Sequence, residues 1–331
     1  MRTRLGACLP STEILFANLN HEVTVIDIKK GYFGQSYCKR TFKARDPRKG
    51  EVMTDENTTL RKLQLLELKI LLELKRICEK HHIRYFLIGG TLLGAVRHQG
   101  FIPWDDDIDV GMMRSEYIKF LTLCNEELSQ EYFLQTFESD ETFANSYSKL
   151  RLTNTEYPEA GTKNLLHCKG IFIDIFPFDN MPNNKFSREI HRSKLMALSY
   201  VCLIKYGYII KFSTLKEKIL YLGLQCLSKI FDKTQVVKMT DNLFQKYNNK
   251  SASFYINGSF YCYPSEIFEN FSELKFESIK FPVPAGYTKY LECAYGDYMT
   301  LPPENKRIKH TLYLPDFGPY VNINSVEDVI K

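Results

Sequence analysis

The sequence predicts an α/β protein built on a mixed sheet. Three observations predict it. A long amphipathic run at residues 60–82 repeats apolar side chains at helical spacing. Short apolar runs at 84–88 and 170–176 end in turn signals and read as strands. Further helical segments separate them. The 331 residues are 44% apolar and 25% charged, ordinary for a folded globular chain, which excludes disordered, collagen-like and disulfide-framework classes. The 44 Lys and Arg against 39 Asp and Glu leave a formal charge of +5, too mild and too evenly spread for a nucleic-acid binder. Nine scattered cysteines, an odd number without a CxxC pair, suit reduced thiols and a cytoplasmic location. No run approaches the ~18 apolar residues of a spanning helix, and Pro10 and Glu13 break the N-terminal apolar stretch, against a signal peptide.

Residues 1–52 lack clear periodicity, apart from a candidate strand at 23–28 and a basic loop at 39–49, and are read as an N-terminal extension. A catalytic core is expected over 53–180, a helical insertion over 181–260, and a C-terminal part completing the domain over 261–331. In the 60–82 helix, Leu60, Leu63, Leu66, Ile70, Leu74 and Ile77 form the apolar stripe, with Asn57 or Thr58 as cap. The 84–88 strand feeds the Gly89-Gly90 turn and a short helix from Thr91 to His98, which Gly100 and Pro103 end. A second strand is expected over 107–110, a helix over 115–128, and a buried strand over 170–176, stopped by Pro177. Residues 185–248 read as mostly helical, 274–281 as a hairpin around Glu277-Ser278, and 287–295 as a helix with Gly296 at its end.

The chemistry is concentrated in Pro103-Trp104-Asp105-Asp106-Asp107-Ile108-Asp109-Val110. In an extended chain, alternate side chains share a face, so Asp105, Asp107 and Asp109 point one way while Ile108 and Val110 point into a core. Carboxylates set together repel and raise one another's pKa unless they share a cation; Mg²⁺ or Mn²⁺ suits such hard oxygen ligands. The alternative is a solvated acidic loop, which the flanking apolar residues disfavour. Asp174 sits in mid-run between Ile173 and Ile175, where an ionised carboxylate needs an Arg, a Lys or a metal. Asp179, after Pro177, reads as a turn or cap residue.

Gly89, Gly90 and Thr91, between a strand and a helix start, make a backbone cradle for phosphate. Beside an acidic strand this is the minimum kit for phosphoryl or nucleotidyl transfer. Arg97, Lys149 and Arg151 are candidate phosphate clamps, the last two sharing a face if 148–152 is extended, though each alone reads first as a member of an ordinary surface pair. His98 and His310 are comparable candidates, each read first as an ordinary satisfied surface or core histidine.

The run from Gly89 to Asp109 resembles the signature of the LicD family, which includes bacterial phosphocholine transferases and is similar to fukutin and fukutin-related proteins. The block 170–177 and a C-terminal block from Tyr295 through Pro302-Pro303 to His310 also resemble it. The resemblance implies a nucleotidyltransferase fold like the polymerase-β catalytic domain, with an added helical layer. Ile88-Gly89-Gly90 would be its turn, Asp107 and Asp109 its carboxylate pair, and Asp174 its third carboxylate. Sixteen residues separate Gly90 from Asp107, longer than usual for that superfamily, so Asp105 stays an alternative ligand.

Further implications are Mg²⁺ (or Mn²⁺) as cofactor, CDP-choline or a related CDP-alcohol as donor, and a glycan or lipid-linked glycan as acceptor. Substrate would be bound by Gly89, Gly90, Thr91, Arg97, Lys149, Arg151 and His310. Trp104 reads first as a core aromatic and second as a face for a trimethylammonium group. The apolar, lysine-dotted stretch 195–233 reads first as helix packing and second as a peripheral contact with the inner face of a membrane. Two other functions fit parts of the pattern: a metal-dependent glycosyltransferase using Asp105 and Asp107 as an Asp-x-Asp motif, and a non-catalytic scaffold.

Overall fold

The computed structural model describes residues 56–158, 169–208, 215–303, 307 and 315–330. The candidate strand at 23–28, the rest of the N-terminal extension and His310 lie outside the described residues. The first element is α1 (Glu56–Lys80), whose Leu63, Leu66, Ile70, Leu74 and Ile77 are all buried against the sheet core. Then come β1 (Phe86–Leu87), α2 (Gly89–His98), β2 (Asp109–Met113), α3 (Arg114–Glu127), β3 (Tyr132–Gln135), β4 (Ser148–Leu152) and β5 (Phe172–Asn180). Three helices follow, α4 (Lys185–Tyr206), α5 (Leu215–Ser228) and α6 (Lys233–Gln245). The chain returns through β6 (Phe254–Ile256) and β7 (Cys262–Pro264), then the hairpin β8 (Phe271–Phe276) and β9 (Ile279–Pro284), α7 (Tyr287–Tyr295) and α8 (Val326–Ile330).

The sheet runs β1-β2-β5-β4-β3, with β6 joining the far end of β5 and β7 pairing β6. Strands β2 and β5 are parallel and the other neighbours antiparallel, so the mixed α/β architecture read from the sequence is the one observed. The register matters most for function. Asp109 is the Cα partner of Asp174 across β2 and β5, and Lys149 on β4 partners Asp174 from the other side.

Two boundaries differ from the sequence reading. The strand bearing the acidic run begins at Asp109, so Asp105 and Asp107 lie in the loop that feeds it. Strand β5 does not stop at Pro177 but runs on to Asn180. Pro177 falls after β4 has ended, at Ser148 opposite Ile175, and before β6 begins, at Ile256 opposite Asp179. A missing N–H is tolerated at such an open edge.

The same extension corrects the reading of Asp179. It is no turn residue: it is fully buried and accepts two hydrogen bonds from the Arg114 guanidinium, at 2.8 and 2.6 Å, and one from Asn248 at 2.7 Å. Arg114 also reaches Asp241 on α6 at 3.1 Å, tying the helical layer to the sheet. That layer has its own apolar core, where Val201, Cys202 and Tyr206 meet Leu224, Val236 and Val237. Its caps are local: Asn184 accepts from the Ser187 N–H, and Asp232 and Gln235 form a capping box at the start of α6. None of the six described cysteines is in a disulfide, and no described helix is long and apolar enough to cross a membrane.

The predicted hairpin is present. Glu277 and Ser278 both take positive φ (51° and 68°), as a two-residue hairpin turn requires. Its tip docks on the loop before the acidic run: the Glu277 N–H donates to the Gln99 carbonyl at 3.0 Å, and the Glu277 carboxylate accepts from the Phe101 N–H at 3.2 Å and from Arg61 at 2.6 Å.

Candidate active site

The site is built where β1 ends, β2 and β5 begin, and α2 starts. Gly89 follows Ile88 with φ +56°, a left-handed conformation that costs a residue with a Cβ about 1–2 kcal/mol. A Cβ there would also collide with the Asp109 carboxylate, and one on Gly90 would sit 2.6 Å from Asp105 Oδ2. The diglycine turn therefore brings bare backbone against two of the acidic side chains.

Three hydrogen bonds fix this junction. The Ile88 N–H donates to the Asp109 carbonyl at 3.2 Å, the Asp109 N–H donates to Thr91 Oγ1 at 2.8 Å, and the Asp174 N–H donates to the Ile108 carbonyl at 2.8 Å. Thr91 is buried, and its hydroxyl holds the backbone of Asp109. Likewise the Gly89 N–H does not face the cleft; it donates to the Tyr290 hydroxyl at 3.2 Å. Tyr290 in turn stacks on Tyr263, with ring centroids 4.4 Å apart, and burial pushes its phenol up to about 12. This leaves Gly90 and Thr91 as the first-turn N–H groups of α2 with no acceptor inside the helix.

The acidic groups crowd on one side. Burial first, and the charge of Asp107 second, hold the carboxyls of Asp105 and Asp109 well above the usual carboxylate range. Asp106 is buried and accepts a 2.6 Å hydrogen bond from the Tyr157 hydroxyl. Opposite Asp109, Asp174 meets Lys149 Nζ at 2.6 Å, and that ammonium lies 3.6 Å from the Phe172 ring centroid. Lys149 is 1% exposed, so its charge serves Asp174 from within the sheet.

Arg151, on the same face of β4, is also 1% exposed. It donates to Gln135 Oε1 at 2.6 Å and to the Gly170 carbonyl at 2.7 Å, which makes it a strut between β3, β4 and the start of β5 rather than a group at the cleft. Arg97 stays with the acidic loop: burial lowers its pKa, and the field of Asp105 opposes that shift only in part. It donates to the Tyr298 carbonyl at 2.9 Å and to His98 Nε2 at 3.0 Å. Burial and the neighbouring Arg97 lower the His98 pKa, which suits its role as acceptor. Trp104 carries a cation already, with the Arg307 guanidinium 4.5 Å from its ring centroid.

One acidic residue escaped the sequence reading. Glu67, on the buried stripe of α1, is 1% exposed, and its Oε2 has no hydrogen-bond partner. Burial, and then the charges of Asp107, Asp106, Asp105 and Asp174, push its carboxyl far up. Gln64, three residues earlier, donates to the Asp105 carbonyl at 2.9 Å, which sets this face of α1 directly behind the acidic loop. In sequence, Glu67 was a polar interruption between Leu66 and Leu68 in a run otherwise fitting a core stripe, and that was the available signal.

Among the described residues, no three acidic, His or Cys side chains already enclose a point the size of an ion. The donor set nevertheless fits a hard divalent cation. It offers only carboxylate oxygens, two of the groups held against bare glycine backbone, and the half-buried, crowded Asp105 and Asp109 are costly to ionise without a counter-charge. Asp109 and Asp174 lie side by side on neighbouring strands, a spacing of roughly 4.8 Å.

Comparison with known proteins identifies the family of the chain. Residues 82–197 match the family model described as LicD/FKTN/FKRP, nucleotidyltransferase domain, a span that holds the glycine turn, the acidic run, β4 and β5. Over 273 residues the chain is 33% identical to the lipopolysaccharide cholinephosphotransferase LicD of Haemophilus influenzae, covering 76% of this chain and 96% of that one. A shorter stretch of 36 residues is 53% identical to the human ribitol 5-phosphate transferase FKRP, 11% of this chain and 7% of that protein. Another, of 41 residues, is 58% identical to an uncharacterized protein of Rickettsia typhi, 12% of this chain and 13% of that one. With this identity sustained along nearly the whole of a cholinephosphotransferase, the chain is a phosphotransferase belonging to the LicD family.

Proposed function

We propose that this chain transfers a phospho-alcohol, with phosphocholine the first candidate, from a CDP-activated donor to a hydroxyl of a lipopolysaccharide-type glycan. The observation that carries the proposal is the Asp109–Asp174 pairing across β2 and β5 beside the Gly89-Gly90 turn. The family and its lipopolysaccharide-modifying relative support the donor and acceptor classes.

Asp107, Asp109 and Asp174 would hold Mg²⁺ or Mn²⁺, with Asp105 as a further ligand. A bound divalent ion supplies neutralisation of the donor diphosphate and of the CMP that leaves. The chain's own groups do the rest. The first-turn N–H groups of Gly90 and Thr91 orient phosphate oxygens by hydrogen bonding, aided by the positive end of α2. Thr91 Oγ1 keeps Asp109 in place. Lys149 holds one oxygen of Asp174, which either binds metal or takes the proton from the attacking hydroxyl. The sugar oxygen bonds to the phosphorus that bears the alcohol, and the bond from that phosphorus to CMP breaks. Arg97, beside Asp105, balances charge at the mouth of the loop.

The test is a donor screen with purified protein and Mg²⁺, following CMP release from CDP-choline, CDP-ribitol and CDP-glycerol in the presence of candidate glycans. UDP- and GDP-sugars run alongside. Release from a CDP-alcohol is expected; turnover of a nucleotide sugar alone would point to the glycosyltransferase reading and defeat this one.

A further inference from the structure

Helix α5 shows water an apolar face that the other described residues leave uncovered. Ile219, Leu220, Leu222, Leu227 and Ile230 are 62, 60, 59, 44 and 71% exposed. At 3.6 residues per turn they fall within one arc with Gly223 and Cys226, Ile230 following in the turn that closes the helix. The opposite face is already spent: Leu224 and Ser228 are buried, Leu224 among Val201, Cys202, Tyr206, Val236 and Val237 of α4 and α6. A contiguous patch of five large aliphatic side chains is of the class that marks an interaction surface rather than a scatter of single exposed residues.

Charge identifies the partner. Residues 205–238 contain seven lysines (205, 211, 216, 218, 229, 233 and 238) against Glu217 and Asp232 alone. That surplus of five equals the formal charge of the whole chain, so the remaining residues balance to zero. Lys229, Lys233 and Lys238 are exposed on the turn and helix directly after the apolar face. A second copy docking face to face would set one basic segment against another. An anionic bilayer accepts both features, with the aliphatic side chains entering the acyl boundary and the lysines reaching phosphate head groups.

We propose that the exposed face of α5 seats this protein on an anionic lipid bilayer. The inference rests on this face and not on which donor or acceptor the active site uses. Its test uses the full chain, without substrate, sedimented with vesicles of phosphatidylglycerol and phosphatidylethanolamine or of phosphatidylcholine alone. Binding to the anionic vesicles, weakened by high salt and at least about tenfold weaker with phosphatidylcholine, is expected. A triple variant, Ile219→Gln, Leu222→Gln and Ile230→Gln, should lose binding by about tenfold or more while keeping its melting temperature and its CMP release from a soluble donor. Failure of the parent protein to sediment with anionic vesicles overturns the proposal. So does undiminished binding by the triple variant, or a dimer that the variant dissociates.

Discussion

Gly90→Ala separates the fold from the chemistry more sharply than a charge change can. Gly90 lies in the first turn of α2 and has no positive φ, so alanine meets no backbone penalty there. Helix propensity alone favours the change by up to about 1 kcal/mol. The new Cβ would, however, sit 2.6 Å from Asp105 Oδ2, against 3.4 Å for ordinary contact. The carboxylate must retreat by about 0.8 Å, which is cheap sterically because it is the end of a side chain. It is costly chemically: a misplacement of about 1 Å in a reacting constellation costs on the order of 10²-fold in rate. The expected result is a melting temperature at or near that of the parent, with CMP release from the CDP-alcohol donor reduced by ten- to a hundredfold. Turnover within about twofold of the parent would refute the idea that Asp105 is held in place by the bare backbone of this turn. A collapse of stability would refute the steric reasoning instead.

Other perturbations follow from the same geometry. Asp109→Asn and Asp174→Asn should each lower CMP release by at least about 10²-fold in a protein whose circular dichroism is unchanged, since each removes a carboxylate from the reacting end of the sheet. Asp179→Asn leaves the buried Arg114 guanidinium without its principal counter-ion and should cost about 3–5 kcal/mol in urea unfolding. The carboxyls of Asp105, Asp109 and Glu67 are raised in the folded state, above the ordinary 3.8 of Asp and 4.5 of Glu. They therefore contribute stability that is complete below those values and is lost as pH rises through the raised ones. Metal-depleted protein should accordingly melt at progressively lower temperature as pH rises from about 4, and Mg²⁺ should restore the loss, which thermal scans with EDTA and with Mg²⁺ will show.

Much of this site is legible in the sequence, because its residues break local rules. Asp174 in an apolar run and three alternate aspartates beside core-facing Ile108 and Val110 conflict with burial unless something pairs them, and conflicts of that kind are legible in one dimension. The parallel register of Asp109 and Asp174 was not legible, since it depends on which strands become neighbours. The glycine turn points to the backbone N–H of Thr91 as part of a phosphate cradle; the separate use of its hydroxyl, which accepts from the Asp109 N–H, depends on the return of β2. Lys149 and Arg151 share a face as expected, but sequence could not tell that one meets Asp174 while the other is consumed by Gln135 and a carbonyl. Asp179 was misread because Pro177 usually ends a strand, and nothing local reveals that β4 stops just before it. Glu67 was hidden by its helix, where a single polar residue is unremarkable until the acidic loop is packed behind it.

The central claim is that the carboxylates of Asp107, Asp109 and Asp174 jointly hold a divalent cation beside the diglycine turn. An anomalous-scattering map from crystals soaked in Mn²⁺ and a CDP-alcohol tests it most directly. The account predicts a manganese peak bonded to oxygens of Asp109 and at least one of Asp107 and Asp174, lost in Asp109→Asn. Manganese bound elsewhere, with these carboxylates unligated in crystals of protein that turns over the donor, would contradict it.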